Sequence, residues 1–479
     1  MLRQSLGNMS GSRREFFKRL MSIRPLAIVI VIAFCANGSL ARSNANAASI
    51  EAYLQPYIHS GNFAGDVLVE KKGKVVFEKA YGFADREHHV RNTAATRFHI
   101  ASMSMQFTAA AVLRLVDTGS LHLDENVGDF IPGIAGADKI TIRDLLTERS
   151  GLPDINALPN YDDVLQHHQT PASLIAKIAG NPLLFEPGSK FLHEEHSAYN
   201  LLAFVVEKKT GLPFAAAMKR LIFRPMGLTA SSVDDDSMRH AAHLAKGYEP
   251  EGTYGLKPAT EIHWSAKTGN ASVITTARDE VGWVNALFRG HALSASSREG
   301  VLDDSMRVGY GWFKSQNKRF DETAYYMNGR APGFASFVLY LPNTQTTVVV
   351  LSNVYSSATT TIGYDIAALS LGLPYEPFHF REPAPDATEL KTCSGTFLFG
   401  PDFYQANAEV TVTANGSELF LRWPSGDVSA LIPIGRDHFV DRSYWAEVKI
   451  ERDSSGHPNT LVYDHFQGTA SGPQTLPRS

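Results

Sequence analysis

Along this chain the spacing of apolar and polar residues changes rhythm several times. "AGDVLVEKKGKVVFEKAYGFAD" (Ala64–Asp85) alternates apolar with polar on both sides of Lys72-Gly73, the period of two strands joined by a tight turn. From Phe107 the period lengthens. Ala109, Val112, Leu113 and Val116 share one face of a helix that Gly119 ends. "HSAYNLLAFVVEKKTG" (His196–Gly211) predicts a second helix, with Ser197 as its cap and Gly211 as its stop. A third helix is expected over Thr276–Phe288, and "FASFVLYLPNTQTTVVVLSNV" (Phe334–Val354) returns to strand, turn and strand. Hairpin, helices and hairpin in that order predict an α+β fold built on one antiparallel sheet, with flanking helices and a helical region.

Beyond it the texture changes. "FREPAPDATEL" (Phe380–Leu390) is Pro-rich and polar and reads as a linker. "AEVTVTANGSELFLRW" (Ala408–Trp423) then alternates around Asn415-Gly416, a hairpin signature in a small all-β module. The expected plan is residues 1–47 as a signal segment, 48–380 as the α+β domain, 381–390 as linker and 391–479 as a barrel-like domain. The signal is specific in kind. "SRREFFK" (Ser12–Lys18) carries the paired arginines of twin-arginine export, Leu26–Ala36 is apolar, and Ala45-Asn46-Ala47 supplies small residues for cleavage. That apolar run has 11 residues, against the ~20 a spanning helix needs. A periplasmic protein without a lasting membrane span is expected. A net charge of −4 leaves no electrostatic footprint for nucleic acid. With Cys35 removed, Cys393 is a single thiol and no internal disulfide can form. No cofactor and no metal are expected.

Several ordered blocks resemble one family. "GDVLVEKKGKVVFEKAYGFAD", "FHIASMSMQFTAAAVLRLVDTGSLHLDENVGDFIP", "LLTERSGLPD", "EKKTGLPFAAAMKRLIFRPMGLTASSV", "ITTARDEVGW", "GYGWF" and "PGFASFVLYLP" with "VVVLSN" are similar to the serine β-lactamase-related proteins, the group of class C β-lactamases, DD-peptidases and esterases. The resemblance covers roughly Ile50 to Leu373, and the β module resembles the lipocalin-like C-terminal domain of some members. It implies a serine nucleophile, acyl-enzyme chemistry, export to the envelope and three catalytic motifs.

The motifs depart from the family's pattern together. Ser-x-x-Lys reads Ser102-Met103-Ser104-Met105, so the nucleophile is present and the lysine is replaced by a methionine of similar shape that cannot take a proton. Tyr-x-Asn falls in "PGSKFLHEEHSAYNLLA". Counting from Pro187 places its two positions at His193 and Glu195, and counting back from Tyr199 places them at Glu194 and His196. Lys/His-x-Gly reads Met327-Asn328-Gly329, followed by Arg330, a replacement positive charge for a substrate carboxylate or a plain surface arginine. Lys267-Thr268-Gly269 has the letters of this motif but lies upstream of the strand that the family uses, and is set aside.

Three readings of "HEEH" (His193, Glu194, Glu195, His196) stand. It is a rebuilt triad in which a histidine takes the Ser102 proton and a glutamate orients it. Or it is a metal site formed by His193, His196 and a glutamate. Or it is a polar loop beside a retired site. His88-His89 and His167-His168 read as solvated loop residues. The expectation is an exported serine-hydrolase-fold protein acting on a small-molecule, peptide or glycan ester or amide. Ser102 is the nucleophile, His193–His196 supplies the base, and Met105, Met327, Asn328, Gly329 and Arg330 line the substrate. The competing expectation is a pseudoenzyme that binds a peptide, glycan or envelope partner. The usual β-lactamase mechanism cannot run on these residues unchanged.

Overall fold

The computed structural model describes residues 47–193, 195–238, 241–303 and 308–471. Ser12–Lys18, Leu26–Ala36 and Glu194 lie outside the described residues, so the signal reading gains no structural account.

The main sheet is antiparallel and seven-stranded. In chain order its strands are β1 (Gly65–Lys71), β2 (Lys74–Tyr81), β3 (Val308–Gly309), β4 (Trp312–Asn317), β5 (Glu322–Ala331), β6 (Phe334–Leu341) and β7 (Thr346–Ser352). In space the order is β3-β4-β5-β6-β7-β1-β2. The β1–β2 turn is as the sequence predicts, with Lys72 and Gly73 both at positive φ (51° and 75°), which matches the twist of the strands they join. Strands β6 and β7 are buried from end to end, because the sheet is covered on both faces. On one face Phe337 meets helix Ala358–Leu371, where Gly363 has no Cβ to strike its ring. On the other, the Ser336 hydroxyl donates to the Ile100 carbonyl at 2.6 Å.

Two further helices build the helical region, α1 (Met105–Asp117) and α2 (His196–Thr210), which pack on each other. Helix α2 ends on Gly211 in the left-handed conformation, as expected (φ 67°). Its cap differs from expectation. Glu195 is the N-cap residue, and the Ser197 hydroxyl instead donates to the Pro153 carbonyl at 2.6 Å. A hydroxyl one residue inside the first turn can reach the neighbouring loop, and that bond ties α2 to it.

The C-terminal region is a closed barrel of eight antiparallel strands between Gly395 and Ala470, with Phe397 opposite Ala470 where the first strand meets the last. It is docked on the larger region through Arg442. This fully buried guanidinium donates to the carbonyls of Ser60, Gly61, Glu251 and Gly252 and to the side-chain oxygen of Asn62. Among the described residues no helix is long and apolar enough to cross a membrane.

Candidate active site

A short strand, Phe98–His99, leads into a single 3-10 turn, Ala101–Ser104, that runs on into α1. To make that corner Ala101 takes a left-handed backbone (φ 49°), at a cost on the order of 1 kcal/mol for a residue with a Cβ. The corner places Ser102 at the N-terminal end of a helical run, where backbone N–H groups favour negative charge. Strand β5 presses on it from the side. A Cβ on Gly329 would stand 2.4 Å from the Ile100 carbonyl oxygen, 2.7 Å from the Ser102 nitrogen and 2.8 Å from the Met103 nitrogen. Glycine is the residue that allows this approach.

The Ser102 Oγ lies 3.1 Å from His196 Nε2, and His196 Nδ1 lies 3.2 Å from Asp154 Oδ1. Both Ser102 and His196 are buried. With the Nδ1 hydrogen given to Asp154, Nε2 is left unprotonated and accepts from the serine hydroxyl. Each member is held from behind. Asp154 caps the short turn Ile155–Ala157, accepting from the Asn156 amide at 3.2 Å. His196 is the first residue of α2, pinned by the Ser197–Pro153 bond. The loop before Asp154 is itself fixed by Gly151, where a Cβ would meet the Phe185 carbonyl oxygen at 2.2 Å.

Of the described "HEEH" residues, His193, Glu195 and His196, only His196 reaches Ser102. His193 is exposed, its ring 5.0 Å from that of Phe313. Glu195 is fully buried but turns the other way. It accepts from the Ser150 hydroxyl at 2.8 Å and the Ser150 amide at 3.2 Å, and burial pushes its carboxyl up to about 8 against those bonds. The carboxylate that meets His196 Nδ1 is therefore Asp154, and not Glu195. The three residues at the gap in the sequence point to three different places because the chain turns there from loop to helix.

The residues expected to line the substrate also divide. Met105 and Met327 are 0% and 1% exposed, inside the main apolar core, so each fills the family lysine or histidine position as packing rather than as a contact surface. Alternate strand residues face opposite ways, so Gly329 meets the nucleophile turn while Arg330 points away from it. The Arg330 guanidinium is stacked between the rings of Tyr355 and Tyr444 (4.4 and 4.1 Å) and donates to the Ser443 carbonyl at 2.9 Å. Its charge is spent on the barrel. Asn328 is half-buried.

Lys267, set aside on sequence, is buried close to the site. Its ammonium donates to Asn156 Oδ1 at 3.0 Å and lies over the Tyr161 ring at 4.8 Å. Burial pulls it down to about 8, while Asp154 and Asp162 act in the opposite direction. Between about pH 8 and 10.5 the folded chain therefore binds fewer protons here than the unfolded chain, so stability rises with pH. Over that window the rise amounts to roughly 3 kcal/mol, from 2.5 pH units at 1.36 kcal/mol each. Denaturation measured from pH 7 to 10.5 should show this rise in the natural protein and lose it in Lys267→Met. Equal slopes in the two would refute the assignment.

A serine-bearing 3-10 turn opening onto a helix, set against an antiparallel sheet, is the arrangement of a serine-hydrolase fold. A family model described as Beta-lactamase matches residues 50–371; the chain belongs to that family. PbpX of Bacillus subtilis (strain 168) is 27% identical over 304 residues, covering 63% of this chain and 73% of that protein. Protein flp of Staphylococcus aureus (strain MRSA252) is 25% identical over 330 residues, 66% of this chain, and the chain spans 64% of flp, just under two thirds. The crystal structure of a penicillin binding protein from Bacillus halodurans superposes with a TM-score of 0.59 at 25% identity, over 67% of this chain and 98% of that one.

Proposed function

We propose that this protein is an exported serine hydrolase or acyltransferase that forms an acyl-enzyme on Ser102 from an ester or amide. The observation that carries the reading is the 3.1 Å contact between Ser102 Oγ and His196 Nε2, continued through Nδ1 to Asp154. The family's lysine base is gone, and a histidine-carboxylate pair stands in reach of the same hydroxyl.

In the first step Ser102 Oγ attacks the substrate carbonyl carbon while its proton passes to His196 Nε2. Asp154 keeps the ring in the productive tautomer and stabilises the imidazolium. The carbonyl oxygen gathers negative charge, and the Ser102 amide, at the N-terminal end of the helical run, is the backbone donor placed to meet it. The carbon–leaving-group bond then breaks, and the leaving alcohol or amine takes the proton from His196. Water or another nucleophile, deprotonated by the same imidazole, releases the acyl group and restores the serine. With Met105 in place of an ammonium, the side chain one turn after Ser102 carries no positive charge to oppose protonation of the histidine. Export rests on the twin-arginine pattern of Ser12–Lys18.

The test is a fluorophosphonate probe read by intact mass. One adduct is expected on the natural protein, mapped to Ser102 and absent from Ser102→Ala. No adduct on Ser102 after prolonged exposure would overturn the proposal.

A further inference from the structure

His167-His168 reads as solvated loop on sequence, but His168 does not stand alone. Its Nδ1 lies 2.6 Å from Asp236 Oδ2, and His263 Nδ1 lies 3.1 Å from the same oxygen. The three ligand-type atoms all fall within 4.8 Å of one another. They come from three segments far apart in the chain, and the convergence is built. His263 N donates to the Leu165 carbonyl at 2.8 Å and Gln169 N donates to Ser265 Oγ at 2.9 Å, so the two histidine-bearing loops are laced together. Asp236 sits in a left-handed turn (φ 74°), with its amide on Asp234 Oδ1 at 2.9 Å. Its second oxygen, Oδ1, accepts from the Ser265 amide at 3.1 Å, which leaves Oδ2 aimed between the two rings. A ligand oxygen held by a second-shell donor in this way is oriented before anything binds.

We infer that His168, Asp236 and His263 form a binding site for one divalent transition-metal ion, zinc being the fitting occupant. Two imidazole nitrogens and one carboxylate oxygen are the donors such an ion takes in preference to calcium or magnesium, which call for oxygen cages. With bonds of about 2.0–2.2 Å, a tetrahedral zinc keeps its ligand atoms roughly 3.3 Å apart. The 3.1 Å pair is already close to that spacing. The 2.6 Å pair must open by about 0.7 Å, and the His168 side chain, 59% exposed, has room to swing. That exposure leaves the fourth position to water. The ion would link three loops. Residues Leu165, Gln166, Thr260 and Ile262 from two of them line a cleft of about 560 Å³ against Trp423 and Tyr444 of the barrel.

The experiment uses the untagged full chain, stripped with chelator and dialysed. Zinc titration by calorimetry, with metal content measured after gel filtration, should give one equivalent on the natural protein. His168→Ala and His168→Ala/His263→Ala should bind it more weakly by more than the 10–100-fold that loss of a mere supporting residue costs. Zinc should raise the melting temperature of the natural protein and leave that of the double variant unmoved, since only a ligand of the folded state stabilises it. His168 is half in solvent, so its removal leaves a folded chain to measure. No stoichiometric zinc on the natural protein, or equal affinity in the double variant, would overturn the assignment.

Discussion

Replacing His196 with alanine will slow fluorophosphonate labelling of Ser102 by 10²- to 10⁴-fold, the worth of a positioned general base. The hydroxyl and its turn remain, but the acceptor that Ser102 Oγ meets at 3.1 Å is gone. Asp154→Asn will lose nearly as much by a different route. The amide can donate to Nδ1, which turns the Nε2 hydrogen toward Ser102 and removes the acceptor the serine needs. The double variant should then be little worse than either single one, because the two residues act as a unit. Single-turnover labelling rates of the natural protein, the two single variants and the double variant, measured at one pH, separate the cases. A His196→Ala protein that labels at the natural rate would mean the 3.1 Å contact has no chemical use.

The second large effect is expected at Gly329. Gly329→Ala places a methyl group within 2.8 Å of three backbone atoms of the nucleophile turn. Backbone cannot step aside as a flexible side chain can, so β5 or the turn must shift. Overpacking of this kind costs about 1–3 kcal/mol. A displacement near 1 Å at a nucleophile costs on the order of 10² in rate. Labelling should therefore fall about a hundredfold while the melting temperature drops by only a few degrees. Natural labelling at the natural melting temperature would show that the close approach is not needed.

Much of this was readable from the chain. The alternation around Lys72-Gly73, the long period after Phe107 and the stop at Gly211 are local signals, and the folded chain keeps each of them. Ser102 and His196 were named from a motif and from the gap in a second one. Asp154 was not, although it stands in the quoted block "LLTERSGLPD". It lies 42 residues from His196, and only the packing of that loop under the first turn of α2 brings the two together. No spacing rule encodes that. The sequence reading has a glutamate of the same segment orient the histidine, but Glu195 bonds Ser150 instead, because a helix start sends consecutive side chains in different directions. Arg330 was misjudged for a related reason. Next to Gly329 in sequence, it is on the opposite face of the strand. Lys267-Thr268-Gly269 is off the strand that meets Ser102, as its position along the chain implies, but that position says nothing about where the Lys267 side chain is buried.

The seat of Arg442 has a consequence for the molecule as a whole. A buried guanidinium holds four carbonyls and an amide oxygen of the other region. Two of those acceptors, on Ser60 and Asn62, lie in buried residues, and a buried polar group left unpaired costs about 1–3 kcal/mol. Residues 53–479 accordingly form one compact unit. The Pro-rich stretch that reads as a linker therefore joins two regions that are also bonded to each other. Barrel and larger region are thus tied by side-chain bonds as well as by the chain, and a chain cut short at the linker would lose those bonds.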